Sequence, residues 1–186
     1  MGAIATTSTQ LANVSTENQL ADAGQYLTFV LGGEIYALGI LNIKEIIDYG
    51  HLTEVPMMPP FIRGVINLRG SVVPVVDLSA RFGKGSTQIA KRTGIVIVET
   101  GNEGEDNDRQ DIGIIVDAVN EVVDISQQDI EPPPSFGTGI RPDFISGMAK
   151  RNGRFIILLN VNCVLSVDEM AALGKAAGDR LEHDGN

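Results

Sequence analysis

Two stretches decide the fold: FIRGVINLRGSVVPVVDLS, residues 61–79, and FISGMAKRNGRFIILLNVN, residues 144–162. They lie 83 positions apart and align without a gap. Phe61 falls on Phe144, Gly64 on Gly147, Gly70 on Gly153, and the apolar run 72–76 on 155–159. The likeness continues upstream, where ILNIKEIID (40–48) matches VDAVNEVVD (116–124) at an offset of 76. The offset grows because the second connector, which holds EPPPSFGTGIRPD, is seven residues longer. One chain therefore repeats a small unit, and shared letters describe the unit while unshared ones are the better place to seek function.

Working outward, the pattern is of short Val- and Ile-rich runs broken by Gly, Pro and Asn. Strands are expected at 25–31, 34–39, 64–68, 71–77, 93–99, 111–116, 145–149 and 154–160. LGGEI carries a Gly-Gly hairpin signal between the first two. At 40–47 the spacing of Ile40, Ile43 and Ile47 fits a short amphipathic helical turn with Glu45 facing outward. A capping box from Ser166 to Glu169 predicts a C-terminal helix over about 166–177. Residues 1–24 and 178–186 read as disordered tails, and GNEGEDNDRQ (101–110) as an acidic hairpin tip. The fold class expected is all-β, with two small repeated β-units joined side by side, subdomain 1 over about 25–92 and subdomain 2 over about 93–165. Units this small bury little core alone and gain from packing on one another.

Composition narrows the function. Net charge is −10, with residues 101–175 alone carrying 13 acidic and 6 basic side chains. That balance opposes a phosphate backbone, so nucleic acid is not an expected partner. The single cysteine, Cys163, excludes an intrachain disulfide, fits a reducing compartment, and reads as a small buried hydrophobe. No apolar run approaches the ~18 residues that span a bilayer, and the N-terminus has neither the basic region nor the apolar block of a signal peptide.

The chain offers little for catalysis. His51, His183 and Cys163 are too few and too scattered for a zinc site. The acidic tip lacks the spacing of a calcium loop. FGKGST (82–87) fails the phosphate-loop pattern twice, at Leu78 and at Gly85, so no cofactor is expected. Asp77 ends an apolar run, but so does its repeat mate Asn160, and both residues suit a helix entry whose side-chain oxygen accepts backbone N–H groups.

The differences between the copies are more telling. Arg69 sits in the turn NLRGS, where the second copy has Asn152. It is open to two readings, a solvated turn residue or a guanidinium presented to a partner. Glu45 is matched by Glu121, which favours a structural role. Pro74 lies mid-strand opposite Ile157 in the alignment, so its strand should be an edge or be bulged there, where a partner could dock.

GVINLRGSVVPVVDLSARF resembles the signature of the chemotaxis coupling-protein family, CheW-like. The resemblance continues through QYLTFVLGGEIYALGILNIKEII, DIGIIVDAVNEVVDIS, IEPPPSF and NGRFIILLNVNCVLSVDEM, over about residues 24–175. It implies two five-stranded SH3-like barrels around a shared core and no enzymatic activity. It implies an adaptor that joins the cytoplasmic tips of chemoreceptors to the C-terminal regulatory domain of the histidine kinase CheA. Self-association in array rings and a cytoplasmic place at the inner face of the membrane come with it. The family's functional Arg maps to Arg69, its receptor-facing acidic position to Glu45, and its partner-contact surface to Ile43, Gly64 and the strand around Thr93 and Ile95. Two alternatives stand beside this reading: an adaptor of a non-flagellar chemosensory pathway, and a small-ligand-binding β-module using the groove between barrels.

Overall fold

The computed structural model describes residues 23–101, 109–134 and 139–166. In chain order the strands are β1 (Ala23–Leu31), β2 (Glu34–Gly39), β3 (Ile43–Asp48), β4 (Ile62–Leu68), β5 (Ser71–Asp77) and β6 (Gly94–Thr100). They continue with β7 (Gln110–Val116), β8 (Ala118–Ser126), β9 (Ile130–Glu131), β10 (Ile145–Arg151) and β11 (Arg154–Leu159). Two one-turn helices, α1 (Leu78–Arg81) and α2 (Val161–Val164), follow β5 and β11.

These strands form two sheets, in the orders β3-β6-β7-β5-β4 and β8-β1-β2-β11-β10-β9. Each curls into a barrel by the same device. In barrel 1, Thr53 exchanges backbone hydrogen bonds with Val65 of β4, linking the chain that leaves β3 to the far edge of the sheet. In barrel 2, β9 follows β8 and pairs with β10. The glycines shared by both copies sit under these closures. A Cβ on Gly64, whose φ is 155°, would lie 2.5 Å from the Thr53 carbonyl oxygen. One on Gly147 would strike Ile130 and approach the Glu131 carbonyl at 3.1 Å. Both follow a bulge, at Arg63 and Ser146, that bends the strand.

The barrels do not divide the chain at 92/93 as expected. Barrel 1 is continuous, residues 43–116, whereas barrel 2 takes the β1–β2 hairpin from residues 23–39 and the rest from 118–159. Repeat arithmetic makes β6–β7 the mate of β1–β2. Accordingly β7 runs parallel to β5, and β2 runs parallel to β11, at equivalent registers. The two copies have exchanged their leading hairpins.

This exchange explains why the strands are apolar on both faces. Along β6, Val96 and Val98 face a core shared between barrels while Ile95 and Ile97 face the interior of barrel 1. The shared core includes an aromatic row of Phe29, Tyr36, Phe82 and Phe144 with centroids 5.6–6.0 Å apart. Arg81 lies over both Phe61 and its repeat mate Phe144, and donates from Nε to the Val164 carbonyl at 2.9 Å. Cys163 is half-buried against the same core.

Both helix entries behave as the sequence suggests. Asp77 is fully buried, and its carboxylate accepts from the backbone N–H groups of Ser79, Ala80 and Thr87 and from the Thr87 hydroxyl. Asn160 caps α2 through the Cys163 N–H. Pro74 pairs with Val65, and β7 joins β5 only from Val75 onward, so the proline stands where one side of the strand is still open. The helical turn expected at 40–47 is a three-residue 3-10 turn (Ile40–Asn42) followed by β3. Ile-rich spacing fits either period, and pairing with β6 decides for the strand. The helix expected at 166–177, the C-terminal tail, residues 1–22 and most of the acidic tip lie outside the described residues, apart from Ser166 and the tip's flanks. Ala23 and Gly24, expected in the disordered tail, are instead strand residues of β1 paired with β8.

Candidate protein-interaction surface

The β4–β5 hairpin closes on Arg69 and Gly70, with φ of 53° and 86°. Positive φ at both central residues is the turn whose twist matches paired strands, and it favours Asn-Gly. The β10–β11 hairpin has that sequence, with Asn152 and Gly153 at φ 53° and 77°. Arg69 therefore adopts a left-handed conformation that costs a non-glycine residue about 1–2 kcal/mol, a cost Asn bears more easily.

The Arg69 side chain is 80% exposed, and its Nη2 lies 2.9 Å from Oε2 of Glu45. A largely solvated pair of this kind contributes about 0–1 kcal/mol, which at best offsets the backbone cost. Stability does not account for arginine at this position, and the turn leaves its guanidinium largely exposed.

Glu45 reaches Arg69 because β3 is a strand. Lys44 is bulged between the pairs Ile43–Val98 and Glu45–Ile97, so Ile43 packs on the shared core while Glu45 and Ile47 turn to the barrel 1 side. The outward-facing Glu45 of the helical reading is corrected: only a quarter of its side chain is exposed. Beside it is an open groove of about 400 Å³ whose lining includes Ile47, Ile66, Leu68, Asn67 and Ile95.

The other expected contact residues are placed differently. Ile43 is half-buried. Gly64 is buried beneath the closing segment, as is its mate Gly147, which gives both a packing role. Thr93 is 4% exposed, with its hydroxyl accepting from the Ala90 N–H. Ile95 is 1% exposed and forms part of the groove's floor. The structure thus pairs Arg69 with Glu45 and places Ile95 in the lining of the groove that begins at their neighbours Ile47 and Leu68. It leaves Ile43 half-buried and sets Gly64 and Thr93 beneath the surface. Sequence reasoning missed Leu41 and Ile46, exposed apolar residues on and just before the terminal strand β3. Reading 43–48 by twos instead of by helical turns would have exposed Ile46.

Among the described residues three groups titrate away from their ordinary range. Burial, reinforced by Glu34, pushes the Tyr36 hydroxyl up. Lys44 is raised by its hydrogen bonds to Asp111 and Glu99, and Asp143 is lowered chiefly by Arg141. None of the three lines the groove beside Glu45. Among the described residues no cluster of His, Cys, Asp or Glu could hold a metal ion, and no helix is long and apolar enough to cross a membrane.

Comparison with known proteins agrees with this architecture. The chain is similar to the chemotaxis protein CheW of Klebsiella aerogenes, 32% identical over 90% of this chain and 98% of that one. It is similar to the protein FrzA of Myxococcus xanthus, 32% identical over 72% and 80% of the two chains. The crystal structure of the scaffolding protein TtCheW from Thermoanaerobacter tengcongensis superposes with a TM-score of 0.68 at 39% identity, covering 76% of this chain and 87% of that one. The family model described as CheW-like domain matches residues 25–169. The chain belongs to the CheW-like domain family, and its role is that of an adaptor in chemotaxis signalling.

Proposed function

We propose that this chain is a non-enzymatic scaffold that joins the cytoplasmic tips of chemoreceptors to the regulatory domain of a CheA-type histidine kinase. The observation that carries the proposal is Arg69, held in a costly backbone conformation beside Glu45 where the other barrel has Asn152. Arg69 and Glu45 supply a breakable charge pair at the rim of the groove, and Ile95 supplies its apolar floor. Ile43, Gly64 and Thr93 shape this surface from below. Further copies join through barrel surfaces in rings of adaptor and kinase, and attachment to receptors holds the chain at the inner face of the membrane. Similarity to FrzA supports a second setting, a non-flagellar chemosensory pathway, in which the same surface meets a different kinase.

Isothermal titration against the regulatory domain of the kinase from the same source tests the proposal. Saturable one-to-one binding that Arg69→Ala weakens, with the melting temperature nearly unchanged, is the expected result. Absence of binding at about 100 μM, or weaker than about −5.5 kcal/mol, would overturn the kinase assignment.

A further inference from the structure

On barrel 2, away from Arg69, the equivalent hairpin carries a different charge pattern. Where barrel 1 sets Leu68 opposite Ser71 and Asn67 opposite Val72, barrel 2 sets Arg151 opposite Arg154 and Lys150 opposite Phe155. Like charges facing each other across antiparallel strands are destabilising. Neither arginine has an acidic partner among the described residues, and Arg151 makes only a 3.5 Å hydrogen bond to the Asp124 carbonyl. Lys150, Arg151 and Arg154 thus stand without an acidic partner among the described residues, on one exposed tip of a chain whose net charge is −10.

The same tip borders an open cavity of about 450 Å³ lined by Met148, Phe155, Ile157, Pro134 and Arg154 among others. Phe155 is 55% exposed, a large apolar ring beside the cations. We infer that this hairpin and cavity form an interaction surface for an acidic protein segment that carries one apolar side chain. Its carboxylates pair with Lys150, Arg151 and Arg154, and its apolar group enters beside Phe155. Glu34 on the cavity wall and Glu131 on the strand paired with Met148 flank the site. Those carboxylates repel a continuous polyanion such as a bilayer surface, but tolerate discrete acidic side chains placed at the tip. The surface lies on the other barrel from Arg69 and does not depend on the function proposed above.

The test is fluorescence anisotropy of the full chain with a labelled polyglutamate peptide containing one central leucine. Its companion probe has serine in place of leucine. Saturable binding that weakens with salt is expected, about tenfold weaker for the doubly reversed Arg151→Glu, Arg154→Glu variant, and weaker again for the serine peptide. Arg151→Thr is expected to weaken the leucine peptide while raising the melting temperature, a pairing that a purely structural arginine would not give. Equal binding by wild type and the reversed variant would overturn the inference, as would equal binding of the two peptides. Tighter, Arg151-dependent binding to phosphatidylglycerol vesicles than to the peptide would assign the surface to lipid instead.

Discussion

The hairpin tips at residues 68–71 and 151–154 share a backbone and differ in almost every side chain. Their central residues have matching φ angles, each carries its glycine second, and each follows a strand bent by a bulge over a buried glycine. One presents a single arginine ion-paired to Glu45, and the other presents cations around Asn152 that have no acidic partner among the described residues. The backbone they share is what a small barrel needs to close. What they do not share is unnecessary for closure, which leaves it free for the partner contacts proposed above.

The comparison breaks first at the core. Val75→Asp places an unpaired charge at a position with no exposure, and a loss of more than about 4 kcal/mol is expected, read as failure to fold in a denaturant titration. A cooperative transition near that of the wild type would show that barrel 1 is not integral to the molecule. Next come the two glycines. Gly64→Ala drives a methyl group into the Thr53 carbonyl and should cost about 3 kcal/mol, seen as a fall in melting temperature. Gly147→Ala meets the Ile130 side chain first, comes no nearer than 3.1 Å to the Glu131 carbonyl oxygen, and strains no positive φ, so it should cost somewhat less. Equal losses would mean that both closures are equally rigid.

Exchanging the turn residues sharpens the contrast at smaller scale. Arg69→Asn should leave stability unchanged or raise it by up to about 1 kcal/mol while weakening kinase-domain binding about tenfold. Asn152→Arg should cost about 1 kcal/mol, and binding to the kinase domain should not improve. If Arg69→Asn destabilised the chain by as much as Gly64→Ala, the arginine would be a structural residue. The smallest effect belongs to Glu45→Gln. It should change stability by less than about 0.5 kcal/mol and reduce the salt dependence of partner binding measured by titration calorimetry.

Much of this was legible in the letters. The gapless repeat, the Gly of each turn, and the Asp77 and Asn160 caps depend on local chemistry, which sequence states directly. Arg69 stood out because its mate is the residue the turn prefers. Other features depend on which segment meets which. The same apolar letters in β1–β2 would serve beside β5 or beside β11, so the hairpin exchange left no trace in the repeat itself. Ile40, Ile43 and Ile47 satisfy a helical period as well as a strand interrupted by a bulge at Lys44. That ambiguity turned Glu45 outward on paper, although it is drawn into an ion pair in the structure. Thr93 and Ile95 are buried by β3 and β7, neighbours that only topology supplies.

The exchanged hairpins also set an order of events during synthesis. Barrel 1 is contiguous, so all its strands have been made once Val116 is complete. The β1–β2 hairpin is made first but cannot be flanked by β11 until more than a hundred further residues have been added. At ordinary elongation rates that wait is on the order of 10 s, long against the formation of a barrel-sized unit. The earliest-made strands are then the last to acquire all their neighbours. During that interval the apolar faces of Leu27, Phe29 and Tyr36 have only the nascent shared core of barrel 1 to rest against. The interlock that makes the finished adaptor one body thus leaves its leading edge exposed for longest while it is being made.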